Sequence, residues 1–151
     1  MTKRNGGSMI PEEFIKYAFE ERVAGIRKLA EGKFDPPSVL LGFTRHNPAI
    51  ITCGKAGPNG SIKGIGFIHK EEYLEETLQK LREELKKPYN PRDALNFLLN
   101  EIYVREKIDF TKLVSLELAK KHTWANITGG SREATVLFFT PPTKHFLRSP
   151  V

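Results

Sequence analysis

Long apolar runs, cysteines and, over one wide stretch, acidic residues are what this chain lacks, and each absence narrows what it can be. No apolar run approaches about 18 residues and none follows the basic start Lys3-Arg4, so neither a spanning helix nor a signal peptide is expected. No membrane partner is expected either. The single cysteine, Cys53, excludes an internal disulfide framework and fits a reducing compartment, so the expected location is cytoplasmic. His46, His69, His122 and His145 show neither C-x-x-C partners nor i,i+4 pairing, which leaves metal ligation without a pattern. The phosphate-loop, dinucleotide and nucleophile-elbow fingerprints are all missing, which argues against those ATPase and hydrolase chemistries. One glutamine, Gln79, beside a charged fraction of 28% matches the composition of heat-adapted proteins.

The missing acids are concentrated. From Pro36 to Lys70 there is no Asp or Glu, and the centre of that stretch reads Cys53-Gly54-Lys55-Ala56-Gly57-Pro58-Asn59-Gly60-Ser61. Glycines such as Gly57 and Gly60 let a backbone turn its N–H groups toward one point, and Lys55 and Lys63 add positive charge beside them. A phosphate or carboxylate is the ligand such a loop suits; an ordinary turn is the alternative. The net charge of +6 lies in the head, in this stretch and in the tail, where Lys120, Lys121, Arg132, Lys144 and Arg148 oppose Glu133. Cys53, next to Gly54-Lys55, would be an activated nucleophile if His46 or His69 approached it, and a packed thiol otherwise.

Taken in order, residues 1–9 read as a disordered leader and 10–151 as a single domain of about the usual size. A helix is expected after Pro11, with Ile15, Phe19, Val23, Ile26 and Ala30 on one stripe. An apolar strand over Ser38–Thr44 and a second over Ala49–Cys53 form a hairpin, and a third strand runs from Ile62 to Ile68 with glycines at 64 and 66 baring one face. Glu71 to Lys87 is helical, with Leu74, Leu78, Leu81 and Leu85 in a seam that serves the core or, in a homodimer, a partner chain. Asn90 caps the next helix, with Pro91 at its first position. Residues 110–118 fit strand and helix alike, Leu118 to Ile127 reads as helix ended by Thr128-Gly129-Gly130, and Ala134 to Thr140 as strand. The fold class is α+β: a small antiparallel sheet or partial barrel packed against several amphipathic helices.

The tail segment Lys120-Lys121-His122-Thr123-Trp124-Ala125-Asn126-Ile127, followed by the apolar strand Ala134-Thr135-Val136-Leu137-Phe138-Phe139, resembles the helix and following strand of FMN-binding split-barrel proteins, the pyridoxamine-phosphate-oxidase and flavin-reductase group. The resemblance covers about 20 residues. It implies that Lys121, His122 and Thr123 contact the FMN phosphate and that Asn126 braces the turn. Ammonium, imidazole and hydroxyl donors opening a helical turn suit an anion in their own right. Trp124 would offer an aromatic plane, or pack in the core.

Two functions follow as expectations. The first is a small protein binding a phosphate-bearing small molecule, FMN or another nucleotide, which implies a flavin-dependent oxidoreductase with its catalytic residues unassigned. The second is a basic, non-enzymatic nucleic-acid-binding module or assembly subunit, using Arg45, Lys55, Lys63, Lys121, Lys144 and Arg148 on phosphates and aromatics for stacking.

Overall fold

The helical pattern after Pro11 is realised as one run in three parts: α1 (Glu12–Ile15), a π-helical turn (Lys16–Glu20) and α2 (Glu21–Ala30). The computed structural model describes residues 10–33, 36, 42 and 46–138; the expected leader and tail strand end lie outside them. So does the strand expected over Ser38–Thr44, apart from Gly42, which has helical geometry. The chain forms two compact units, Met1–Asp35 with Gly66–Val114, and Pro36–Ile65 with Ser115–Val151. Among the described residues helices and antiparallel strands coexist without a closed barrel, which is the expected α+β class.

In the first unit the stripe of the N-terminal helical run builds the core. Ile15, Phe19 and Ile26 are buried, and the π turn buries Ala18 beside Phe19. Phe19 meets Phe110 edge-on at 5.2 Å between ring centroids, and Phe110 meets Phe67 at 5.0 Å, the tilted arrangement that aromatic quadrupoles prefer. Tyr103 joins this cluster, and its hydroxyl accepts from Arg22 Nε at 2.6 Å. Phe67 and Phe110 arrive on two paired strands, β3 (Ile65–His69) and β4 (Ile108–Ser115), so of the ambiguous residues 110–118 the first six are strand and the last three are in neither strand nor helix.

The helix α3 (Glu71–Glu84) turns inward a face other than the leucine seam. Its buried residue is Thr77, whose hydroxyl lies 2.7 Å from Nδ1 of the buried His69. Nε2 of the same ring must donate to the Ile102 carbonyl at 2.8 Å, so in the neutral ring Nδ1 accepts the Thr77 proton. Lys80 bridges Glu76 and Glu101, and Leu74, Leu78 and Leu85 are left exposed. Asn90 caps α4 (Pro91–Phe97) as expected, its side-chain oxygen accepting from the N–H groups of Arg92 and Asp93; the helix continues into a second π turn, Leu98–Ile102.

The second unit is a three-stranded antiparallel sheet with a helix on it. β1 (Ala49–Thr52) is central, flanked by β2 (Asn59–Ile62) and β5 (Ala134–Leu137). The strand expected from Ile62 to Ile68 is therefore two: it breaks at Lys63-Gly64, and β2 and β3 join different sheets. Nothing lies within 4 Å of a Cβ placed on Gly64 or Gly66, so neither glycine answers to a close approach. Across the sheet Thr52 pairs with Asn59 and Ile50 with Ser61, which sets Ile50, Thr52, Asn59 and Ser61 on one face. The helix α5 (His122–Thr128) lies against that face.

Phe19→Ala removes a ring that touches three others, and should lower the unfolding free energy by about 3–5 kcal/mol in urea titration, the range for a buried aromatic truncated to a methyl group.

Candidate functional site

The Gly-rich loop and the tail helix, some 65 residues apart in sequence, meet through two side chains of α5. Thr123 and Asn126 stand three residues apart, on one side of the helix, and both are buried against the sheet. The Asn126 carboxamide is fully enclosed, at 0% exposure. Its oxygen accepts from the Ala56 N–H at 2.7 Å, while its nitrogen donates to the Gly57 carbonyl at 2.8 Å and to Thr52 Oγ1 at 3.1 Å. An N–H can only donate and a carbonyl only accept, so these partners fix which end of the amide is which. Thr123 Oγ1 accepts from Asn59 Nδ2 at 2.7 Å and shares a second bond with Ser61 Oγ at 2.9 Å.

Glycine is required where the helix and loop come closest. A Cβ on Gly54 would stand 3.2 Å from the Asn126 side chain, and one on Gly129 would come within 2.6 Å of the Ala125 carbonyl oxygen. Gly57 (φ +78°) closes the loop with its N–H on the Gly54 carbonyl at 2.9 Å, and Gly130 (φ +104°) carries the chain out of the helix. Gly60 belongs to β2 and sits opposite Ile51 on the other face of the sheet.

The loop's N–H groups at Ala56 and Gly57 are thus bonded inside the protein, as are Thr123 and Asn126. What faces solvent is charge. Lys55, Lys120, Lys121, His122 and Arg132 are all exposed, and Trp124 is 42% exposed with the Lys120 ammonium 5.6 Å from its ring centroid. Lys120 takes a positive φ of 47°, and its N–H, with that of Ala119, bonds Glu117 Oε1 at 3.0 Å. The other Glu117 oxygen pairs with Lys63 at 2.5 Å in a half-enclosed setting. The hydrogen bond from Lys63 holds the Glu117 carboxyl below its usual range, helped by the two N–H groups and opposed by partial burial.

Charge separates the two units completely. The second unit's stretches hold eight Lys and Arg against two acids, Glu117 and Glu133, and the first unit holds sixteen of each. The whole surplus of +6 belongs to the unit that carries the glycine loop and the tail helix. Sequence reading had named Lys55, Gly57, Gly60, Lys121, His122, Thr123 and Asn126; it missed Thr52, Asn59, Ser61 and Glu117. The signal for three of these was present, since polar residues alternating at 59 and 61 opposite Thr52 mark a polar inner face.

Other sequence candidates take no part in the hydrogen bonds of Thr123 and Asn126. His69 has both ring nitrogens bonded within the first unit, and His46 Nδ1 faces the Ile65 carbonyl oxygen at 3.3 Å. Cys53 is exposed at the end of β1. Among the described residues no group of three or more His, Cys, Asp or Glu is placed to hold a metal ion. No helix among them is long and apolar enough to cross a membrane. A concavity of about 360 Å³ in the first unit, lined by Leu29–Gly32, Pro91, Arg92 and Leu95, includes none of the named site residues. Compared with protein-family models, curated proteins and solved structures, the chain matches none.

Two outcomes test the arrangement. Asn126→Ala strands the Ala56 N–H, the Gly57 carbonyl and the Thr52 hydroxyl, and should cost roughly 2–4 kcal/mol, with faster amide exchange at Ala56 read by NMR. Because the folded-state pKa of Glu117 lies below its ordinary 4.5, the Lys63 pair contributes stability above that pH and loses it as the pH falls through the lowered value. Lys63→Met should flatten the acid limb of a stability–pH curve between wild type and variant.

Proposed function

We propose that this protein binds a phosphate polymer, single-stranded nucleic acid, along the basic face of its second unit. The observation that carries this is the confinement of the entire +6 surplus to one of two compact units. A merely solubilising charge would be spread over both. Lys55, Lys120, Lys121 and Arg132 supply mobile, exposed cations for a backbone, and Trp124, already under a lysine, supplies a plane for a base. The bonds from Thr123 and Asn126 serve to hold the loop and helix that present these groups, and no catalytic residue is required.

A phosphate-bearing small molecule such as FMN is the second reading, supported by Lys121 and His122 standing beside the exposed Trp124. Its phosphate would rest on those two side chains. The Thr123 hydroxyl that the split-barrel resemblance assigns to it is bonded to Asn59 and Ser61, while Asn126, to which the resemblance gives only the bracing of the turn, is bonded to Thr52, Ala56 and Gly57. The open three-stranded sheet also offers FMN less enclosure than a closed barrel would. For this reason the polymer is the better fit.

Fluorescence anisotropy with a labelled single-stranded oligonucleotide tests the proposal. With four phosphate contacts, log K should fall with log salt at a slope of about −3, and Lys120→Glu with Lys121→Glu should remove roughly half of that dependence. Trp124→Ala should weaken binding by about 1–3 kcal/mol. Absence of binding at low salt, or binding indifferent to salt, refutes it. Thermal stabilisation by FMN without oligonucleotide binding would favour the small-molecule reading instead.

A further inference from the structure

The seam of leucines on α3, expected to serve the core or a partner chain, is left partly open to solvent. Leu74 is 38%, Leu78 41% and Leu85, at the C-cap of the helix, 84% exposed, with Leu81 half-buried between them, while Thr77, three residues from Leu74 and four from Leu81 at the edge of the line, is the residue packed inside. A 14-residue helix that exposes its apolar line is incomplete as a surface helix. The line is spaced 4-3-4, the alternation of a coiled-coil seam.

Charge on the same helix selects the occupant. The first two turns carry Glu71, Glu72, Glu75 and Glu76 with no cation, and the later segment carries Lys80, Arg82, Lys86 and Lys87 against Glu83 and Glu84; of these Glu76 and Lys80 pair with each other and Lys87 pairs with Glu84 within the chain, so the charges the inference uses are Glu75 and Arg82. We infer that the seam is the interface with a second copy of this chain, α3 against α3, in antiparallel orientation. The 4-3-4 spacing reads the same in both directions, so Leu74 meets Leu85 of the second copy and Leu78 meets its Leu81. Glu75 and Arg82, both exposed and flanking the seam, then face each other across the dyad twice over. A parallel pairing would set the acidic turns against each other, at a cost. The inference is independent of the nucleic-acid reading, since α3 belongs to the neutral first unit.

One helix face is small beside the roughly 1,200–2,000 Å² of a stable interface, so the dimer should be weak, with a Kd on the order of 10–100 µM. Sedimentation velocity of the full chain, run from about 5 to about 500 µM, should show the weight-average mass rise from 17.1 kDa toward twice that value. Leu78→Glu with Leu85→Glu should hold it at the monomer mass with unchanged thermal unfolding, because both side chains are exposed. Glu75→Arg and Arg82→Glu should each weaken association by roughly three- to tenfold, and together restore it, a rescue that a disturbed fold would not give. A wild type that stays monomeric at the highest concentration overturns the inference. So does association that survives the paired leucine substitution, or charge reversals that fail to rescue each other.

Discussion

The carboxamide of Asn126 is the interaction on which the second unit depends. Burying a primary amide costs several kcal/mol unless its donors and acceptor are met, and here each finds a partner on a different part of the chain: Ala56 and Gly57 in the loop, and Thr52 on the central strand. A short helix of seven residues has little stability alone. It persists because Thr123 and Asn126 tie it to a polar sheet face, where a small unit has few large apolar side chains to offer. Gly54 is a consequence of the same contact, since a Cβ there would press on Asn126, whereas a Cβ on Gly129 would meet the Ala125 carbonyl of its own helix at 2.6 Å before it met Lys55 Cβ in the loop at 3.2 Å.

That arrangement divides labour within the segment Lys120–Ile127. Inward residues consume their hydrogen-bonding capacity on the fold, and outward residues present charge and one indole to solvent. A phosphate approaching this unit meets flexible ammonium groups sooner than a rigid cradle of N–H donors. Flexible lysines suit a polymer with repeated phosphates better than a single phosphate whose position must be fixed. The first unit is balanced in charge and built on interlocked aromatic rings, and it carries the leucine line of α3.

How much of this was legible depends on whether the signal is local. Asn90 followed by Pro91 announced a helix start because a cap bonds N–H groups two and three residues away. Thr128-Gly129-Gly130 announced a helix end because a left-handed residue there needs no side chain. The leucines of α3 fall on one line as expected, but the sequence left open whether that line meets the core or a partner chain. Periodicity states which residues share a face, and the choice of the inward face came from the His69–Thr77 hydrogen bond and the Lys80 ion pairs, whose partners include residues 21 or more positions away or in another element. The break at Lys63-Gly64 was equally invisible, since an apolar run interrupted by glycines gives no sign that its halves pair with different strands.

By itself, then, the amino-acid order determined the α+β class, the caps and stops of its helices, and the segregation of positive charge into the acid-free stretch and the tail, because each is a property of neighbours or of composition. Only the tertiary structure decided that Asn126 would be spent on the loop and Thr123 on β2, leaving the lysines and Trp124 outside, and that α3 would leave its leucines partly exposed. The first outcome rests on hydrogen bonds between distant segments and the second on a bond between neighbouring elements, and both exist only once the backbone has brought donor and acceptor together.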